Sequence, residues 1–291
     1  ANNTIALTSH VIAGTINGIN LSSGYGTLNT TTNINANNFT TLNHTIAAAS
    51  GAITAIIQVG SGTNGPIIHS ISNNTFTNLT SITTGSFTFI SNSWTRPANG
   101  TGTVNDNSIV TAFNKTGAGG TVQLYNSNSS SPATVTETNS GNNFSNITVT
   151  GATILNGWRS TDGGSPAKIV TNNTFNNWTG GTSQLTGLAV SFSGSANISG
   201  NTVSNFTSGG IIVGMESTSG TQTWTNNTVT GLTSTGAAAV TGMLITSGGT
   251  TNILQKNTVC NLESNNSGGS VNGILVSAGT TTTISNNRIG D

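Results

Sequence analysis

The sequence predicts an all-β chain wound as a right-handed parallel β-helix, a β-solenoid of about nine coils with three strands to the coil. Three observations predict it. A short motif, Asn followed two residues later by Val, Ile or Phe, recurs ten times along the chain. Other apolar residues keep fixed distances from those Asn residues. Finally, no stretch carries the 3.6-residue periodicity of a helix.

The motif opens at Asn3, Asn37, Asn74, Asn107, Asn142, Asn173, Asn201, Asn227, Asn257 and Asn287, at intervals of 34, 37, 33, 35, 31, 28, 26, 30 and 30 residues. Asn is abundant, so one match means nothing, but ten in register are hard to obtain from composition. Three residues earlier stands an apolar residue in most units: Ile34, Ile71, Val104, Val170, Ile198, Trp224, Leu254 and Ile284. Asn139 departs from this pattern. Three residues beyond the first apolar residue comes another: Leu42, Leu79, Ala112, Ile147, Trp178, Phe206, Leu232 and Leu262. A third apolar strand lies between units, as in Gly18–Leu21, Leu188–Phe192, Gly210–Val213, Gly242–Ile245 and Gly273–Val276.

Each unit of roughly 30 residues thus holds three short strands separated by Gly, Ser and Asn. None could bury its apolar face alone, but stacked coils align these positions into one core. Parallel strands stack about 4.8 Å apart, so nine steps make a rod on the order of 45 Å long. The chain reads as a single solenoid domain, residues 1–291, least regular between 80 and 160. The Asn is expected to stand at a strand corner, in the left-handed conformation it tolerates. There its amide donates to one neighbouring coil and accepts from the other.

The segments Ile198–Phe206 and Leu254–Leu262 carry the whole unit. They resemble the repeat of large bacterial cell-surface and secreted β-strand-repeat proteins, within the pectin-lyase-like parallel β-helix superfamily. The resemblance covers almost the whole chain. It implies the three-sheet right-handed helix and an extracellular setting. It implies no single activity, because that superfamily mixes polysaccharide lyases, hydrolases, phage spikes, adhesins and passive stalks.

Charge narrows the partners. Six Lys and Arg balance six Asp and Glu, only 4% of 291 residues, against roughly 25% in ordinary globular proteins. There is no basic patch for nucleic acid and no polybasic or 18-residue apolar segment for a membrane. Disorder is excluded by the register of the apolar residues. With so little self-repulsion, association with itself, head-to-tail or laterally, is weakly opposed. Both ends, Ala1–Ile5 and Asn286–Asp291, fall at the same phase of the repeat without a cap. Such ends suit head-to-tail continuation into a filament, or excision from a longer chain.

Catalysis on such a scaffold needs ionisable groups on neighbouring coils. The inventory is Asp106, Asp162, Asp291, Glu137, Glu216, Glu263, Arg96, Arg159, Arg288, Lys115, Lys168 and Lys256. Measured from the Asn of each unit, no column gathers two carboxylates, and Arg159 with Asp162 reads as a local salt bridge. His10, His44 and His69 show no metal-ligand spacing with carboxylates or Cys260. The thiol of Cys260 is expected to be packed and free. Gly117–Gly120 opens no helix, so it does not read as a phosphate cradle. Trp178 and Trp224 fall at core positions, which leaves Trp94 and Trp158 as candidate sugar platforms. Asn38, Asn78, Asn177 and Asn205 begin Asn-x-Thr triplets, the acceptor pattern for glycosylation. The sequence therefore predicts no enzyme, no cofactor and no metal.

One surface pattern stands out. Positions six and four before the repeat Asn should face outward, because position three before it faces in. They hold the pairs Thr101/Thr103, Thr136/Thr138, Thr221/Thr223 and Thr281/Thr283, with Thr31 and Thr251 sharing the first column. Such a flat Thr array is what ice-binding solenoids present; Thr also simply suits exposed strands. The function expected is an extracellular structural solenoid, a filament subunit or the stalk of a surface adhesin, with itself and cell-surface glycans as partners. The alternatives are a polysaccharide-binding or polysaccharide-degrading helix and an ice-binding one.

Overall fold

A computed structural model describes residues 2–22, 31–62, 67–247 and 251–290. Ala1 and Asp291, named above at the two ends, lie outside the described residues. Every strand pairing among the described residues is parallel. The strands stack as a β-solenoid of about nine turns with three faces. The face before the ladder Asn is built from strands such as Thr101–Asn105, Thr136–Ser140 and Ala167–Thr171. The face after it includes Thr174–Thr179, Thr202–Ser208 and Thr228–Ser234. The third face includes Phe87–Thr95, Thr121–Ser127 and Ile154–Ser160. In two coils the strand continues round the corner from the third face to the first, giving Leu185–Ser199 and Ile212–Thr225.

The corner departs from expectation by one residue. The left-handed position is the residue before the ladder Asn, not the ladder Asn itself: Asn2, Ala36, Asn73, Asp106, Gly141, Asn172, Gly200, Asn226, Lys256 and Asn286 all have φ between 55° and 67°. The physical reason is a division of labour. The kink swings the next side chain inward, so the ladder Asn keeps an ordinary backbone and a buried amide. A second left-handed column follows four residues after the ladder Asn, at Asn78, Asn146, Asn177, Asn205, Gly231 and Asn261. It bends the second face between its two inward apolar residues.

The interior is a set of apolar ladders. Phe76, Ile109, Phe175, Val203, Val229 and Val259 are buried beside the Asn row, as are Ile71, Val104, Val170, Ile198, Trp224 and Leu254 before it. One ladder position slips. Ala112 is exposed, and Phe113 takes the inward place, in register with Ile147. The third face approaches the opposite wall closely. A Cβ on Gly214 would lie 2.5 Å from Val229 Cγ1 and 2.6 Å from the Gly242 carbonyl oxygen, which excludes any side chain there.

Candidate functional site

The ten repeat Asn residues form one continuous row. Each Nδ2 donates to Oδ1 of the Asn one coil later, from Asn3 to Asn287, over nine bonds of 2.8–3.1 Å. From Asn37 to Asn257 the backbone N–H donates to the same oxygen. From Asn74 onward the second Nδ2 proton goes to a carbonyl of the preceding coil, three residues before its ladder Asn. Each interior amide therefore donates twice and accepts twice, its full capacity. An amide so saturated has no group left with which to bind a ligand.

The densest cluster of charge lies inside the solenoid. Arg96 Nη1 is 2.5 Å from Glu137 Oε1, and Lys168 Nζ bonds Glu137 Oε2 and lies 2.6 Å from Asp162 Oδ2. The four side chains are at most 2% exposed. Asp162 Oδ1 accepts from the Ser127 hydroxyl at 2.8 Å and the Ser129 backbone N–H at 2.6 Å. Trp158 and Phe192 place their rings 5.9 and 5.3 Å from the Lys168 ammonium, a favourable setting for a cation. Burial pulls Lys168 toward lower pKa, but the two carboxylates outweigh it and raise the group. Burial likewise pushes Asp162 up, and the Lys168 charge outweighs that and holds it below the usual carboxylate range.

This cluster corrects the salt bridge expected between Arg159 and Asp162. Neighbours along a strand alternate sides, so Arg159 points out while Asp162 turns inward to Lys168. The arrangement was legible from a different origin. Counted back from the following ladder Asn, Arg96 and Asp162 both stand at eleven (107 − 96 and 173 − 162), and Glu137 and Lys168 both at five (142 − 137 and 173 − 168). Glu137 and Lys168 are indeed in direct strand register. In these coils the difference in length falls upstream of the cluster positions, so offsets from the preceding Asn lose the alignment.

Other predicted groups disperse. Trp94 and Trp158 are 0% and 2% exposed, so neither is a sugar platform. Trp158 stacks on Tyr125, and Trp94 meets His69 edge-on. His69 is pushed down to about 3 by burial and by Arg96. His44 is buried and His10 is exposed against Thr45. Among the described residues no three of His, Cys, Asp and Glu gather as a metal would need. The carbonyls of Gly117 and Gly119 accept from the Lys115 ammonium, so that loop is lined for a cation, not a phosphate. Cys260 is a free, half-buried thiol 3.3 Å from the Thr230 hydroxyl. Asn78, Asn177 and Asn205 are exposed and Asn38 is half-buried.

On the outer surface Thr101 pairs with Thr136 and Thr103 with Thr138, and Thr251 pairs with Thr281. Thr221 and Thr223 stand in the same columns, and these residues, with Thr31 and Thr283, are exposed or half-buried. Ile68, Ala167 and Ser195 interrupt the first column. On the third face a groove of about 300 Å³ is lined by Asn156, Arg159, Gln184, Thr186 and Glu216 among others. Burial raises the Glu216 carboxyl, with Arg159 pulling the other way. No family model, no curated protein and no solved structure matches the chain.

Proposed function

We propose that the chain is a non-enzymatic extracellular structural solenoid, the stalk segment of a surface adhesin or a filament subunit. The observation that carries this reading is the amide row, which runs through every coil and saturates its own hydrogen bonds. Its nine links tie each coil to the next along the axis, the direction in which a stalk or filament is loaded. The charged residues support the same reading, since Arg96, Glu137, Asp162 and Lys168 are turned into the interior. The repeat's resemblance to pectin-lyase-like surface proteins supports the extracellular setting. The test is to purify the chain, image it by negative-stain microscopy and assay it against a panel of polysaccharides. Rods of uniform width without turnover are expected; turnover of any polysaccharide would overturn the reading.

Two specific observations favour other readings. The registered Thr columns favour ice binding, for which thermal hysteresis is the measurement. The groove beside Arg159 and Glu216 favours a glycan partner, for which binding lost in Arg159→Ala is the measurement.

A further inference from the structure

We propose that Lys168 and Asp162 condense into an isopeptide bond within the solenoid interior. Lys168 Nζ lies 2.6 Å from Asp162 Oδ2, with both side chains fully buried. For an ordinary hydrogen-bond angle at that oxygen, the carboxyl carbon is roughly 3–3.5 Å from the nitrogen, the separation of a near-attack conformer. The two carboxyl oxygens are differentiated. Oδ1 is held by the Ser127 hydroxyl and the Ser129 N–H, two donors placed where the oxyanion of a tetrahedral intermediate would form. Oδ2 faces the amine, with the Ser160 hydroxyl 3.2 Å away. The second carboxylate, Glu137, touches the same amine and is oriented by Arg96 on its other oxygen.

The step balances without an oxidant or activating reagent. The ammonium passes one proton to Oδ2, giving the neutral amine and carboxylic acid. The nitrogen lone pair then attacks Cγ, and Oδ1 takes the negative charge. Glu137 accepts one proton from the nitrogen and returns it to the Oδ2 hydroxyl. The Cγ–Oδ2 bond breaks, Oδ1 becomes the amide carbonyl oxygen, and one water leaves. Glu137 ends as it began. Burial alone would favour this transfer, but the surrounding charges hold Lys168 protonated and Asp162 ionised, so the neutral pair is a minor state that condensation draws off. The product leaves Arg96 and Glu137 as a balanced pair, so no buried charge is orphaned.

The test is the intact mass of the purified full-length chain in denaturant, with peptide mapping. The linked chain should be one water lighter than its sequence requires. Trypsin should fail to cut after Lys168, and acetylation of the denatured chain should miss that lysine. Lys168→Arg, which keeps the charge but cannot condense, should return to full mass. A wild-type chain at full mass overturns the proposal, and this outcome requires no variant to fold. A chain one water lighter whose Lys168 is still cleaved and acetylated also overturns it, since that pattern marks a succinimide at Asp162–Gly163. Fragments joining Lys168 to Glu137 instead would overturn the assignment of Asp162 as the electrophile.

Discussion

Between Asn173 and Asn257 the ladder residues follow one another at 28, 26 and 30 residues. Between Asn37 and Asn142 the spacing is 37, 33 and 35. The interiors differ in step with that spacing. In the narrow coils the third face brings Gly187, Gly214 and Gly242 against the valines of the opposite wall. In the wide coils the registered residues are Ala55, Phe89 and Leu124, all buried. Phe89 meets Phe76 and Phe113 with ring centres 5.0 Å apart in each case. The inward column five before the ladder Asn shows the same contrast. It holds His69, Glu137 and Lys168 in the wide part and its border, with the Arg96 guanidinium over Gly102, but the uncharged Ala196, Gln222 and Asn252 in the narrow part. A longer coil encloses more space than the apolar ladders fill, and here paired charges and aromatic rings occupy the remainder. Such pairs add little net stability, because desolvation cancels most of their attraction. Breaking one is another matter.

The largest effect is expected in the narrow coils. Val203→Asp would put a carboxylate into an all-apolar wall already tight against Gly187, where the added Cβ of that glycine would lie 2.7 Å from Val203 Cγ2. No cation is near, so the cost is several kcal/mol, roughly the stability of a whole domain. Circular dichroism should show the neighbouring coils frayed or the chain unfolded at 25 °C. An unchanged melting curve would sink the idea that the narrow interior tolerates no charge.

Next in size is Arg96→Met in the wide coils. It removes the guanidinium that faces Glu137 and should cost about 3–5 kcal/mol, the usual penalty for orphaning a buried charge. Arg159→Met, on the exposed side of its strand, should stay within about 0.5 kcal/mol of wild type. Equal melting temperatures for the two variants would erase the distinction between interior and surface charge.

A smaller, pH-dependent effect is expected at His69, whose two ring nitrogens are buried without a hydrogen-bond partner. Its folded pKa is about 3 against 6.5 for the free group. The unfolded chain therefore binds the extra proton between those values, and stability is lost as pH falls below about 6.5, at roughly 1.4 kcal/mol per unit. His69→Leu, which removes both orphaned nitrogens, should be near neutral at pH 7.5 and gain about 2 kcal/mol relative to wild type at pH 5. Denaturant titrations at the two pH values measure the difference. A pH-independent difference would mean that His69 does not bury a neutral ring.

The fold was legible because a solenoid repeats its instructions. Asn-x-Val/Ile/Phe needed only one residue of each coil to be found, and the residues before and after it followed by strand alternation. The buried cluster was legible only from the right origin, because loop length varies between Asp162 and the preceding ladder Asn but not between it and Asn173. Trp94 and Trp158 were misread as surface groups for two reasons. Trp158 stands in the buried column of Leu188 and Met215, which shifting third-face offsets hide. Trp94 lies beyond Asn92, the last residue of its strand in register with the next coil. The left-handed residue was displaced by one because Asn occupies so many adjacent positions, as in Asn73–Asn74 and Asn172–Asn173, that sequence alone does not say which amide turns in.

The smallest expected effect tests whether that corner is the same in wide and narrow coils. Seven of its ten residues are Asn or Gly, and the exceptions are Ala36, Asp106 and Lys256. A left-handed conformation costs a residue with a Cβ roughly 1–2 kcal/mol, less for Asn and Asp, whose side chains bond locally. Lys256 is exposed and at φ 56°, so Lys256→Gly relieves that cost and gives up only a solvated stem. Part of the gain is returned as the greater freedom of an unfolded glycine. The net expectation is a stabilisation of about 0.5–1 kcal/mol, read as a shift in denaturant midpoint at unchanged slope. Asp106→Gly in the wide coils should gain less, because Asp suffers less there and its carboxylate fills the space beside Gly141, 2.3 Å from where a Cβ would stand. The reverse change, Gly200→Ala, should lose more than Lys256→Gly gains, since its new Cβ would meet Asn172 Oδ1 at 2.4 Å. Equal gains at residues 106 and 256 would show that the corner is indifferent to coil width. A loss at 256 would mean that its lysine stem packs on the neighbouring coil, and that exposure alone misjudges what the corner residues contribute.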